Sequence, residues 1–174
     1  MRALIVSTLL FAVACGDPEP GSLTDCAPAA PPVAADTIGD AVPPVTNAEL
    51  QAWLAAGSYT TFLPESASHA SAGPHGGQVR TFLNRALATS LATCAPSHPT
   101  GAAAVKELYT DGAISGWAVM VKTEAAAGSD SWFWYEVFST APDGRPAFSG
   151  QAHETCTGCH DGGLDAVRTR WPLQ

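Results

Sequence analysis

The run Cys156-Thr157-Gly158-Cys159-His160, with only Asp161 to Gln174 after it, constrains this chain more than any other feature. In an exported protein, C-x-x-C-H is the attachment pattern of a c-type haem. Two thiols add across the vinyl groups, and the adjacent imidazole reaches the iron from the same face. Cys156 and Cys159 are therefore expected to carry one haem c (iron) per chain, with His160 as the proximal metal ligand. A redox dithiol or half of a zinc site is the alternative for a bare CxxC, but there is no second CxxC and the histidine follows directly. The position of the motif also narrows the scaffold. Small electron-transfer cytochromes carry it near the N-terminus with a methionine far downstream, and helical-bundle cytochromes need long heptad-like helices that this sequence lacks.

Export is read from the other end. Arg2 precedes the apolar run Ala3 to Val13, and small Ala14 stands before Cys15, so residues 1–14 are expected to be a signal peptide. The run is too short for a permanent membrane span. Ala12-Val13-Ala14-Cys15 resembles a bacterial lipobox, with Ala12 where leucine is usual, so Cys15 is the expected lipidation site. The alternative is a soluble periplasmic protein cleaved nearby. Gly16 after Cys15 lacks the signal for inner-membrane retention, which makes the expected location the periplasmic side of the outer membrane, with membrane contact through the lipid alone.

Five cysteines in an oxidising compartment call for accounting. Lipid takes Cys15 and the haem takes Cys156 and Cys159, which leaves Cys26 and Cys94 as a candidate disulfide or as two separate thiols. Acidic residues number 16 against 8 basic, for a net charge of -8 and no basic cluster, which argues against nucleic acid as a partner.

One domain fits the length. Residues 15–45 are rich in Pro, Ala and Asp without apolar periodicity and read as a tether, and residues 46–174 as the haem domain. Thr46-Asn47-Ala48-Glu49 is a capping-box pattern that opens a short helix ended by Gly57. A strand is expected over Gln78–Asn84 and a helix over Arg85–Thr93. Ala102–Tyr109, Ser115–Thr123 and Ser131–Ser139 are β-branched or aromatic runs divided by Asp111-Gly112 and Gly128-Ser129, hence successive antiparallel strands. The expected fold class is mainly β (α+β): an antiparallel sheet with two or three short helices packed around one haem.

The sixth iron position decides the chemistry, since a second strong ligand makes an electron carrier and an open position permits binding or reaction. Met120 lies mid-strand, where a methionine is ordinarily core. His69, His75, His98 and His153 are the histidine alternatives, and an open or water-bound site is preferred. Alternation places Lys106 on the same face as Ala104 and Leu108, toward an apolar interior. Trp132, Phe133, Trp134, Tyr135 and Phe138 are candidate apolar walls.

Gly101-Ala102-Ala103-Ala104-Val105-Lys106-Glu107-Leu108-Tyr109, Trp117 to Lys122, Trp132 to Glu136, the haem motif and Asp165-Ala166-Val167-Arg168-Thr169 resemble the cytochrome P-460 family in order and spacing. The resemblance covers about Trp53 to Leu173. It implies a mostly antiparallel β domain, often a homodimer, whose five-coordinate haem is covalently joined to a lysine that Lys106 matches. It implies hydroxylamine oxidation, with nitric oxide as intermediate or product and electrons passed to a redox partner protein. Related cytochromes of the c-prime-beta type keep the fold without the cross-link and bind nitric oxide or other diatomic gases. Active members place a distal carboxylate just before the haem motif, and Glu136 and Glu154 are the candidates here, with Gln151 standing where that carboxylate would fall. Asp165 and Arg168 match the family's tail, as propionate contacts or turn caps.

Overall fold

A computed structural model describes residues 28–174. Its centre is one antiparallel sheet of seven strands: β1 (Leu63–Pro64), β2 (His69–Ala70), β3 (Gln78–Leu83), β4 (Ala103–Thr110), β5 (Ala113–Lys122), β6 (Trp132–Val137) and β7 (Phe148–Gln151). The order is β1-β3-β4-β5-β6-β7, with β2 also paired to β3. Three short helices, α1 (Asn47–Ala55), α2 (Arg85–Ala92) and α3 (Glu154–His160), complete the α+β fold expected from the sequence. Asp111 and Gly112 both take positive φ, 53° and 81°, which is the two-residue turn that matches the twist of β4 and β5. Gly128 likewise lies at φ 97° before β6.

Period-2 alternation splits the sheet into two apolar faces. Val105, Val119, Phe133 and Tyr135 meet Leu50 and Leu54 of α1. Ala104, Met120, Trp132 and Trp134 meet Leu87, Ala88 and Leu91 of α2, together with Ala166 and Val167 beyond α3. The aromatic run is therefore divided: Trp132 and Trp134 face α3, Phe133 and Tyr135 belong to the α1 side, and Phe138 is 62 % exposed past the end of β6. Strand alternation overrides the grouping of all five into one wall.

Two local expectations change. Thr46 does precede α1, but its hydroxyl donates to the Glu49 carboxylate at 2.6 Å and does not cap a backbone N–H. The segment expected to be a tether is partly docked. Ile38 is buried, Gly39 N donates to Thr61 O at 2.8 Å and Arg85 N donates to Gly39 O at 2.9 Å. One apolar anchor, a few backbone bonds and side-chain bonds from Asn84 and Arg85 hold a strap that carries no periodic pattern.

Asn84 fastens the strap, α2 and β4 together. Its Oδ1 accepts from Leu87 N at 3.1 Å, as the α2 cap, and from Ala103 N at 2.9 Å. Its Nδ2 donates to Gly101 O and Ala41 O. Asn84→Ala is expected to destabilise the fold by about 2–4 kcal/mol, from the lost cap and the buried N–H groups left unpaired, measured by urea unfolding.

Candidate functional site

The CxxCH run forms α3, so Cys156 and Cys159 stand three residues apart on one side of a short helix and His160 closes it. Cys156 packs against the Trp134 face of the sheet and is a free thiol, held protonated by burial and by the nearby Glu136 carboxylate, which push its pKa up to about 11. Cys94 and Cys159 are each engaged in a disulfide. The CxxC pair is thus not closed on itself as a redox disulfide, and a thioether at Cys159 requires that sulfur to be reduced. Cys15 and Cys26 lie outside the described residues, as do the signal peptide and the lipidation site.

His160 Nδ1 lies 2.7 Å from Ala166 O. A carbonyl only accepts, so Nδ1 carries the proton and Nε2 keeps its lone pair, the tautomer that a ligating histidine needs. Burial, with the positive field of Lys106 and Arg168, lowers its pKa from the usual 6.5 to about 4 and keeps the ring neutral. The acceptor belongs to a tight turn, Leu164 to Val167, closed by two backbone bonds of 3.0 Å. Its central residues, Asp165 and Ala166, lie at φ 46° and 71°, a left-handed conformation costly for residues other than glycine.

Asp165 holds that turn. Its carboxylate accepts from Lys122 Nζ at 2.7 and 2.9 Å, from His98 N and Gly128 N at 2.7 Å each, and from Ser97 Oγ at 3.2 Å. Both Lys122 and Asp165 side chains are fully buried. Burial pushes the Asp165 carboxyl up, but these hydrogen bonds outweigh it and hold the pKa below the ordinary aspartate value. Arg168 donates to Cys159 O at 2.6 Å, capping α3. The two tail residues are therefore committed to positioning the turn and the helix. Alternation with Met120 places Lys122 on this face, a site residue not singled out from the sequence.

Opposite the turn, one row of the sheet supplies the remaining groups. Lys106 pairs with Thr81 on one side and Ala118 on the other, and Ala118 pairs with Glu136. Lys106 and Glu136 thus share a face across two strand spacings of about 4.8 Å, with only a methyl group between them. Burial holds the Lys106 amine below the usual lysine range, against the pull of Glu65 and Glu136. Glu136 Oε1 lies 2.9 Å from His75 Nδ1, and the His160 ring sits 4.5 Å from Trp134 and 6.4 Å from His75, centroid to centroid. Lys106, Glu136, Cys156 and His160 are gathered into one cluster, to which His75 and Glu65 are added. Glu154 is exposed on the first turn of α3 and Gln151 bonds Thr123 and Asp130 O at the sheet edge. Met120 is buried beside Trp134 in the core.

The donor set fits a c-type haem through Cys156, a reduced Cys159 and the free Nε2 of His160. Among the described residues no group of three or more His, Cys, Asp or Glu could hold a bare metal ion. No helix there is long and apolar enough to cross a membrane. No protein-family model, curated protein or solved structure matches the chain.

Two outcomes follow from this electrostatics. Lys122→Met leaves the Asp165 carboxylate buried without its counter-charge and is expected to cost about 3–5 kcal/mol in urea unfolding. His160 and His98 both have folded pKa values below the unfolded value, so the unfolded chain binds more protons. The share of apoprotein stability contributed by these two neutral imidazoles is therefore fully present above about 6.5 and is lost as pH falls, for His160 through about 4. His160→Ala should flatten part of that slope in urea midpoints measured across the range, leaving the His98 share.

Proposed function

We propose that this chain is an exported monohaem c-type cytochrome whose iron binds a small nitrogenous molecule, in the manner of the hydroxylamine-oxidising cytochromes P-460. The observation that carries the reading is the His160 imidazole: its Nδ1–H is fixed on Ala166 O, its Nε2 is free, and it stands at the end of the Cys156–His160 helix near Lys106, His75 and Trp134. An apolar core studded with a lysine and a carboxylate is a poor choice for stability alone and suits a reaction site.

Haem, when bound, would supply a redox-active iron and a position for the ligand. Cys156 and Cys159 would hold the macrocycle and His160 Nε2 the iron, while the Lys122-anchored turn keeps the imidazole oriented. Trp134 and Met120 exclude water from that face. Oxidation of hydroxylamine releases protons as well as electrons, and the Glu136 carboxylate, aligned by His75, is the acceptor the cluster offers. Electrons leave to a redox partner protein. The amine of Lys106, kept largely from solvent and low in basicity, is the group that would join the macrocycle, as the family resemblance implies. In this reading the chain is held at the outer membrane by a lipid on Cys15. A gas-binding cytochrome on the same fold is the second reading, because it needs only the iron, the apolar face and Lys106 without a cross-link.

Expression of the full chain with a c-haem maturation system is expected to give one covalent haem per chain, by mass and by haem staining of denatured protein. Cys156→Ala with Cys159→Ala should abolish it, and a wild-type chain without haem would overturn the reading. A ferrous absorption band shifted far to the red of ordinary haem c, returning to normal in Lys106→Arg, would establish the cross-link. An ordinary spectrum with no hydroxylamine oxidation under excess oxidant would leave the gas binder.

A further inference from the structure

The open distal site expected above is not what the histidines suggest. We infer that His75 is the distal ligand of the haem iron in the resting protein, opposite His160, so that an incoming molecule must displace it. The inference rests on the haem reading and concerns the regulation of that site.

Four histidines besides His160 could serve, and three are otherwise placed. His98 has both nitrogens engaged: Nε2–H donates to Leu164 O at 3.1 Å, so Nδ1 accepts from Ser90 Oγ at 2.8 Å. His69 lies on exposed β2, its ring between Ala70 O and Glu65. His153 begins α3 itself, on the same short segment as the proximal ligand, and its ring packs on Phe148.

His75 differs in each respect. Its loop, Gly73 to Gly77, is pressed onto β4 where Gly77, at φ 38°, leaves room: a Cβ there would stand 2.6 Å from Tyr109 O. The ring is carried inward, and its side chain is 19 % exposed. Nδ1 faces the Glu136 carboxylate, which accepts, so Nδ1 carries a proton and Nε2 is the remaining donor atom. His160 is arranged in the same way on Ala166 O. A histidine that binds metal through one nitrogen and fixes the other on a carboxylate or carbonyl has the outer-shell support that orients and strengthens metal ligands.

Distance agrees with this pairing. Two imidazoles on opposite sides of one iron, each nitrogen about 2 Å from the metal, have ring centroids about 6 Å apart and any angle between their planes. The His75 and His160 centroids are 6.4 Å apart with planes at 66°. Displacement of His75 would leave Glu136 beside the incoming molecule, so the ligand that closes the iron also delivers the proton acceptor.

The test is the ferric holoprotein made from the full chain. Wild type is expected to be low-spin and six-coordinate by absorption, with the electron paramagnetic resonance of two imidazoles. His75→Ala should be high-spin, and added imidazole should restore the low-spin form, while His69→Ala should match wild type. Where the iron is free in a tenth of wild-type molecules or fewer, azide should bind His75→Ala about tenfold more tightly or better. High-spin wild type, a resonance of imidazole plus thioether, or a low-spin spectrum surviving in His75→Ala would overturn the inference with the haem reading intact. A chain that takes up no covalent haem would fail the haem reading itself. The resonance of wild type decides the matter even where the variant does not accumulate.

Discussion

The buried ion pair of Lys122 and Asp165 is the interaction on which the His160 side of the molecule depends. Two fully desolvated charges are expensive unless their remaining hydrogen-bonding capacity is filled. Here Asp165 accepts from Lys122, two backbone N–H groups and a serine, while Lys122 also donates to Ser131 and lies over the Trp132 ring. The pair joins the end of β5 to a turn that would otherwise be unfavourable, with an aspartate and an alanine at positive φ. That turn presents the carbonyl that sets the His160 tautomer. A charge buried in the core is thus converted into the orientation of one imidazole.

The sheet supplies the other half of the arrangement by register alone. Lys106, Ala118 and Glu136 occupy one row across β4, β5 and β6, and the small residue in the middle leaves space above the row. Because side chains repeat every second residue, a slip of one position would move Lys106 and Glu136 to the α1 face and bring Val105 and Tyr135 in their place. The opposite face secures that register: Tyr59 and Tyr109 both donate to Glu107, and Trp117 donates to Tyr59. Packing on the α1 side thereby fixes the polar groups on the other.

Much of this was legible in the sequence, for identifiable reasons. β-branched and aromatic runs divided by Asp111-Gly112 and Gly128-Ser129 produce β4, β5 and β6 close to the expected bounds, and alternation places Lys106 on the side of Ala104. What escaped depends on contacts between distant segments. Nothing local distinguishes Lys122 from an ordinary strand-end lysine, and its partner lies 43 residues away. His75 sits in a glycine- and proline-rich loop whose composition suggests exposure, and only the approach of that loop to β4 turns its ring inward. β7 is four residues with a glycine, Phe-Ser-Gly-Gln, too short for periodicity to register. The strap around Ile38 is held mainly by hydrogen bonds to its backbone, which leave no trace in apolar patterning.

The remaining polarity of this face is hard to reconcile with a purely structural role. Glu65, Lys106, Glu136, Arg168, His75 and His160 are gathered, mostly half-buried, on the Trp134 side of the sheet, and the two cations and His75 all weaken the hold of His160 on a proton. A core optimised for stability would replace such groups with aliphatic side chains, often at a gain. The arrangement instead keeps the His160 imidazole neutral, an amine weakly basic and a carboxylate aimed at a histidine. Each of those states is useful to a bound electrophilic centre, and none improves packing. Stability is recovered elsewhere, in the Lys122 pair, the Asn84 junction and the contact with α1, where apolar packing is joined by the Tyr135–Gln51 hydrogen bond, so the fold can carry a polar face that it would not otherwise favour.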